Sequence, residues 1–437
     1  MGYHDTDTDR EGTGRDDRKG TEAGSITGAL NAGDRVSCCY GGAELEGTFI
    51  TERDGKAVIK LDNGYNIGIG PSSITEIRRQ QLRPPVTPTV EQNPDLPELA
   101  ILSTGGTIAS RIDYRTGAVT SQFDANDILR AIPRLGEIAQ FSAQQIASIL
   151  SENMTPSLWI DLARSIYAEI RNGAKGVIVT HGTDTMSFTA SAISFMLETP
   201  VPVIFVGSQR SADRPSSDNV MNALCSASAA LSDLGEVAVV MHASTSDDRC
   251  AVHRATKVRK MHTSRRDAFA SIGMSPLGYV DYPSLEVSLG DDAVRRGGTE
   301  AVLHDTIEEK VGMVSFYPGM PADLLASFEG CRGLVLAGTG LGHVSSACIG
   351  ALRDLIGGGC HVVMTSQCLR GRVCDRVYDT GRDLLALGVI EGEDMLPEVA
   401  LVKLMWVLGQ HDDPDEVGRL MGTSLRGEIR RCSCNGF

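Results

Sequence analysis

The pattern of apolar and polar positions divides the chain into blocks of different texture. Residues 1–28 are polar and Gly-rich with almost no large aliphatics, and the pattern predicts a disordered tail. From Val36 the texture changes to short extended runs, Leu45–Ile50, Ala57–Leu61 and Tyr65–Ile69. The dipeptides Asp54-Gly55 and Asn63-Gly64 separate them and tolerate the positive φ of tight hairpins. Short strands at this density predict a small all-β barrel over residues 29–82. Residues 83–98 are Pro-rich, which removes backbone donors and favours extended geometry, so this stretch reads as a linker.

Beyond the linker the rhythm becomes strand, loop, helix. Leu99–Ser103, Gly176–Thr180, Val203–Val206 and Val237–Met241 are apolar runs of strand length. Thr155-Pro156 has the form of an N-cap followed by proline at the first helical position. Leu158, Leu162, Ile166 and Ile170 then give that helix a predicted buried stripe. Strand-like Gly333–Ala337 and His361–Met364 flank helix-like Val344–Leu355 in a second block. The expected fold is α/β, with doubly wound, mostly parallel sheets in two domains, 99–290 and 311–437, joined by a connection over 291–310.

Charge narrows the functional classes. Lys and Arg total 41 against 56 Asp and Glu, a net charge of −15. So acidic a chain is unsuited to holding nucleic acid by itself, because phosphates require a cationic surface. In the 29–82 segment few basic residues and only Tyr40, Tyr65 and Phe49 are available to bind RNA, so docking or packing is its plainer role. The 11 cysteines show no zinc spacing and fit a reducing cytoplasm. The first residues lack the apolar core of a secretory signal, and no run has the length of a membrane span. No metal site is expected.

Two polar loops follow predicted strands: Thr104-Gly105-Gly106-Thr107 and Gly182-Thr183-Asp184-Thr185. Ligands of parallel sheets bind beyond the C-terminal strand ends, where both loops lie. A threonine hydroxyl needs a base within hydrogen-bond reach to attack a carbonyl. Flanking glycines let backbone N–H groups approach a developing oxyanion. Alone, either loop would be read as a tight turn. Neither has the spacing of a phosphate loop.

Together with further segments the loops resemble the signature motifs of bacterial-type L-asparaginases. Leu102–Ala109 and Val179–Met186 carry the two motifs, and Ser151–Met154, Phe205–Arg210, Lys260–Phe269 and Ser275–Tyr279 match in the same order. The resemblance spans roughly residues 98–437. It implies that Thr107 is the primary nucleophile and that Thr183, Asp184 and Lys260 form a relay. A neutral Lys260 would act as base, oriented by Asp184. It further implies that Gly106 and Gly182 approach the substrate and that Ser151 and Glu152 bind its amino-acid end. Without the family pattern Lys260 would read as one solvated charge among Arg254, Lys257, Arg259, Arg265 and Arg266. His181, His262, Arg210 and Asp213 read as loop support. The order in which the threonines attack is left open by the sequence.

The preceding 97 residues and the altered second block, Ala337–His343 and Val362–Asp375, depart from free asparaginases. They resemble the D-subunit family of archaeal glutamyl-tRNA(Gln) amidotransferases. That resemblance implies a glutaminase that supplies ammonia to the amidotransferase E subunit, the site of ATP and Mg²⁺, with Glu-tRNA(Gln) held mainly by that partner. It also implies a D2E2 heterotetramer and no cofactor in this chain. The competing expectations are a stand-alone cytoplasmic L-asparaginase with an accessory barrel, a non-catalytic scaffold, and RNA binding through the barrel alone.

Overall fold

The computed structural model describes residues 30–31, 33–53, 55–62, 65–78, 91–105, 125–210 and 216–432. The expected tail, the turn residues Asp54, Asn63 and Gly64, and the first half of the linker, residues 83–90, lie outside these. The chain divides into two compact units, one before and one after Arg83, apart from residues 113–118.

The first unit is one antiparallel sheet. Its strands are β1 (Arg35–Tyr40), β2 (Ala43–Arg53), β3 (Lys56–Leu61), β4 (Asn66–Ile69) and β5 (Ile74–Arg78). They lie in the order β4-β3-β2-β1-β5. Val36, Cys38, Phe49, Ile59 and Ile69 alternate onto one face and form its core, as period-two patterning requires. Among the described residues no ladder joins β4 to β5, so the strands of the expected small barrel pair as an open sheet.

The second unit holds two larger sheets and two two-stranded ones. The larger has eight strands, including β6 (Glu98–Gly105), β7 (Gln140–Ile149), β8 (Val177–Thr180), β10 (Val203–Val206) and β11 (Val237–His242). These five are parallel and ordered β7-β6-β8-β10-β11. Antiparallel β12 (Arg249–Arg254), β15 (Gly278–Asp281) and β16 (Val287–Leu289) extend the β11 edge. The sheet is therefore mixed. β13 (Val258–Lys260) and β14 (Phe269–Ser271) form a separate antiparallel pair. The short strands β9 (Leu197–Glu198) and β17 (Val302–Leu303) also pair and tie down the connection between the domains. The last sheet is wholly parallel, β18 (Val311–Ser315), β19 (Gly333–Gly338), β20 (His361–Ser366) and β21 (Ile390–Glu391), in chain order.

Helices α1 (Ala125–Ala131), α2 (Pro156–Arg171), α3 (Met186–Met196) and α4 (Asn219–Leu231) belong to the first of these domains. The second carries α5 (Asp323–Ala326), α6 (Cys348–Gly357), α7 (Asp379–Ala386), α8 (Pro397–Gln410) and α9 (Pro414–Met421). At the start of α2, Thr155 Oγ1 accepts the Leu158 N–H at 3.4 Å and Pro156 opens the first turn, as its sequence predicts. The buried face of α2 is Trp159, Leu162, Ala163 and Ile166, while Leu158 and Ile170 fall at its margins. A strict four-residue step drifts around a helix of 3.6 residues per turn, whereas mixed steps of three and four stay on one face. α3 is buried on almost every side. It packs against α8, which is itself mostly buried, and this contact joins the two domains.

Candidate functional site

In the five parallel strands, β6 is followed by a neighbour on one side, β7, and then by β8 on the other. The chain reverses its direction of winding between β6 and β8, and a crevice opens at such a switch point beyond the C-terminal strand ends. Both threonine loops leave from these ends. Hydroxyl groups knit the ends together: Thr180 Oγ1 donates to Ser103 Oγ at 3.0 Å, and Thr104 Oγ1 donates to the Thr180 carbonyl at 3.2 Å. Gly105 then turns the chain with φ +120°, a left-handed conformation that disfavours any side chain. Gly106, Thr107 and Asp213 lie outside the described residues.

From β8 the chain passes through His181, Gly182, Thr183 and Asp184 into the N-terminus of α3. A Cβ at Gly182 would lie 2.6 Å from Ser151 Cβ, so this close approach requires glycine. Ser151 closes the same corner: its hydroxyl donates to Asp184 Oδ2 at 3.4 Å, and its carbonyl accepts from Thr185 Oγ1 at 2.7 Å. Glu152 is solvent-exposed beside it.

Lys260 arrives from β13. Its ammonium donates to Thr183 Oγ1 at 2.8 Å and to Asp184 Oδ1 at 2.7 Å. The lysine side chain is 14% exposed and the Asp184 side chain 69% exposed, so this pair opens to solvent on its carboxylate side. The structure thus brings together Thr183, Asp184, Lys260, Ser151 and Gly182, which come from three separated segments of sequence. The N-terminus of α3 adds the positive end of its peptide dipoles next to Thr183 and Asp184.

The loop-support residues have specific duties. His181 Nδ1 donates to the Gly182 carbonyl at 2.6 Å. Burial pushes this imidazole down to about 4, against the opposing effect of that carbonyl. His262 Nδ1 accepts from the Ser264 and Arg265 N–H groups, both at 3.0 Å, and braces the loop after Lys260. Asp218 gathers Gln209 N, Arg210 N and Asn222 Nδ2, each at 2.9 Å, under the loop after β10.

Each of the cations in the basic run around Lys260 has an acidic partner. Arg254 pairs with Glu236 at 2.8 Å, Lys257 with Asp394 at 2.8 Å, Arg259 with Glu398 at 3.1 Å and Arg266 with Asp247 at 2.5 Å. Arg265 pairs with Asp267 at 2.6 Å. Sequence patterning missed the acidic partners on α8 and before it because they lie far along the chain. It also missed the cavity of about 300 Å³ that Lys260 and Asp184 share with Arg259, Gln367, Pro397 and Glu398. Among the described residues no group of three or more His, Cys, Asp or Glu side chains could hold a metal.

This arrangement is that of an asparaginase-type amidohydrolase. Residues 98–292 match the family description "Asparaginase, N-terminal", and residues 310–421 match "Glutaminase/Asparaginase C-terminal domain". Residues 30–79 match "GatD N-terminal domain". The chain is 53% identical over 418 residues to the glutamyl-tRNA(Gln) amidotransferase D subunit of Methanosarcina mazei, covering 92% of this chain and 98% of that one. It is 54% identical over 402 residues to the D subunit of Halobacterium salinarum, covering 88% and 94%. The solved thermostable L-asparaginase of Thermococcus kodakarensis superposes with TM-score 0.68 at 30% identity, over 76% of this chain and 99% of that one. The chain belongs to the D-subunit family of glutamyl-tRNA(Gln) amidotransferases. No helix among the described residues is long and apolar enough to cross a membrane.

Proposed function

We propose that the chain is the glutaminase subunit of a tRNA-dependent amidotransferase, releasing ammonia from glutamine for the conversion of Glu-tRNA(Gln) to Gln-tRNA(Gln). The observation that carries this reading is Lys260 Nζ within 2.8 Å of Thr183 Oγ1 and 2.7 Å of Asp184 Oδ1. A hydroxyl, an amine and a carboxylate in hydrogen-bonded sequence form an activated nucleophile and its orienting group.

When the amine is neutral, the same 2.8 Å contact runs in reverse and Thr183 Oγ1–H donates to the Nζ lone pair. Asp184 holds the amine in that line. Either Thr183 or Thr107 supplies the oxygen that bonds to the amide carbon of glutamine. Collapse of the tetrahedral intermediate breaks the C–N bond, the leaving nitrogen takes up a proton, and ammonia departs from an ester. Water then hydrolyses the ester and returns the proton to the threonine oxygen. Backbone N–H groups of the Gly105-Gly106 and Gly182 turns are the groups this reading assigns to the oxyanion. Ser151 and Glu152 take the α-amino and α-carboxyl end of the substrate, with Gly106 and Gly182 leaving room for it.

In this reading the amidotransferase E subunit receives the ammonia, holds most of the Glu-tRNA(Gln) and carries ATP and Mg²⁺, within a cytoplasmic D2E2 heterotetramer. Ammonia is protonated near neutral pH and is then no longer a nucleophile, so hydrolysis coupled to the second site conserves glutamine. The domain boundaries at 29–82, 99–290 and 311–437 follow the same reading. The test is ammonia release from glutamine and from asparagine by the purified chain, alone and with the E subunit, ATP, Mg²⁺ and Glu-tRNA(Gln). Glutamine hydrolysis that rises sharply with the full set is the expected result. Strong asparagine hydrolysis indifferent to the partner would leave a stand-alone L-asparaginase.

A further inference from the structure

Lys260 ends a short segment that begins with the 3₁₀ turn Ala255–Lys257 and continues as β13. Three side chains of this segment cross to the other domain, the first being Thr256, whose hydroxyl donates to the Arg426 carbonyl at 2.9 Å. Lys257 Nζ reaches Asp394 Oδ2 at 2.8 Å and the Asp394 carbonyl at 2.9 Å. Arg259 Nη1 reaches Glu398 Oε2 at 3.1 Å. The Lys257 side chain is 1% exposed and that of Asp394 5%. The second oxygen of Asp394 accepts the Arg430 N–H at 2.9 Å, and Arg372 stands 3.9 Å away. Asp394 is therefore held by two groups, the Arg430 N–H and the Arg372 guanidinium, before it meets the lysine.

A buried ion pair is a poor device for stability, because desolvation cancels much of the attraction and an apolar pair of equal volume would serve as well. What a buried lysine held by a carboxylate and a carbonyl does supply is position. Lys257 stands three residues before Lys260, and Arg259 one before it. Both anchors flank the start of α8, whose Pro397 and Glu398 line the cavity that Lys260 enters. A shift of about 1 Å along this segment would open the 2.8 Å contact with Thr183 Oγ1 beyond hydrogen-bond range.

We propose that Lys257 and Asp394 are positioning residues for catalysis: their interdomain pair sets the place of Lys260 Nζ over Thr183 Oγ1, with Arg259–Glu398 as a second tie. The inference rests on the glutaminase reading above and adds that the C-terminal domain determines the geometry of the relay.

The experiment measures kcat and KM for glutamine on the full chain assembled with the E subunit, for Lys257→Met, Lys257→Arg, Asp394→Asn and Lys260→Met. Leu352→Ala, in the core of the C-terminal domain, controls for lost stability. Lys257→Met is expected to lower kcat by about 10- to 100-fold, the cost of a misplaced catalytic group, with KM little changed. Lys257→Arg keeps a cation at the site and restores most of the loss. Leu352→Ala lowers the thermal midpoint and leaves kcat near that of the parent. Wild-type kcat in Lys257→Met overturns the proposal, as does an equal loss in Leu352→Ala. Should Lys257→Met fail to fold, Asp394→Asn decides: reduced kcat at unchanged KM supports the proposal and wild-type kcat overturns it. An active Lys260→Met would instead overturn the relay itself, whereas an inactive one beside a fully active Lys257→Met sinks the positioning role alone.

Discussion

The two parallel-sheet domains differ in how they treat the polar groups around their strands. At the ends of β6 and β8 most of these groups satisfy one another, His181 Nε2 excepted: Thr180 with Ser103, Thr104 with the Thr180 carbonyl, Lys260 with Thr183 and Asp184. Around the ends of β19 and β20 the pairing is less complete: Ser366 Oγ donates to the Gly340 carbonyl and Gln367 Nε2 to the Ala337 carbonyl, but other groups are stranded. Thr365 Oγ1, both ring nitrogens of His343 and both carboxylate oxygens of Asp375 are buried without a hydrogen-bond partner. The order of the strands accounts for part of this. Reversal between β6 and β8 opens a crevice in which facing side chains meet, whereas β18 to β21 follow one another without reversal. The first sheet therefore holds a site, and the second, through Asp394 and Glu398, holds the segment that completes it.

The sharpest way to break the comparison is to remove a hydroxyl from each sheet. Thr183→Ala takes away the acceptor of Lys260. It is expected to lower kcat for glutamine by about 10²- to 10⁴-fold, the range for losing proton-transfer chemistry. Thr365→Val, at the end of β20, is expected to leave kcat near the parent value. Steady-state ammonia release checks both. If Thr365→Val is as damaging as Thr183→Ala, the second sheet takes part in the chemistry and the contrast fails.

Burial disfavours the charged form in both domains, so it moves basic and acidic groups in opposite directions. His181 and His253 are pushed down to about 4 by burial. Their folded values lie below the unfolded one, so the stability they contribute is present above about pH 6.5 and is lost as pH falls through about 4. Each contributes on the order of 3 kcal/mol to that loss. Asp375 is pushed up to about 7 by burial and then by Glu391, whose Oε1 accepts the Asp375 N–H at 3.0 Å. Its contribution is complete below about pH 4 and disappears as pH rises through about 7. Asp375→Asn removes the charge that has to form, so it should flatten the decline between pH 5 and 8 and raise stability at pH 8, by at most about 4 kcal/mol. The acid limb set by the histidines should be unchanged. Urea unfolding at pH 4.5, 6.5 and 8 checks this, and a variant that is no more stable than the parent at pH 8 would contradict it.

These contrasts trace which features the sequence makes legible. Strands β6, β8, β10, β11, β19 and β20 read clearly, because strands buried on both faces are uninterrupted apolar runs. The antiparallel extension β12, β15 and β16 carries no comparable signal and was not anticipated. Thr183 and Asp184 are legible because a short motif at a strand end carries them, whereas Ser151 came only with the family pattern. Lys260 needed the family pattern, since its neighbours look like a solvated cationic run. Lys257 and Asp394 were illegible for the same reason: the partner that gives the lysine its meaning is 137 residues away. Asp375 and His343 carry no local pattern at all, since only tertiary packing buries them.

The smallest effect tests whether mutual satisfaction in the N-terminal domain extends beyond the site. Trp159 on α2 donates its indole N–H to Thr189 Oγ1 on α3 at 3.0 Å, with both residues buried. Trp159→Phe keeps most of the ring in place and removes the donor. Thr189 Oγ1 then becomes a buried acceptor without this partner, the condition already found at Thr365. The expected loss is about 1 kcal/mol, a net hydrogen bond plus a small packing change. Because only 2 tryptophans report fluorescence in this chain, far-UV circular dichroism is the suitable probe of urea unfolding. A double variant with Thr189→Val then separates the terms. If removing both partners restores much of the loss, the single variant's cost lies in the stranded hydroxyl. If the two losses simply add, the cost is packing between α2 and α3, and the pairing of polar groups in this domain matters for chemistry alone.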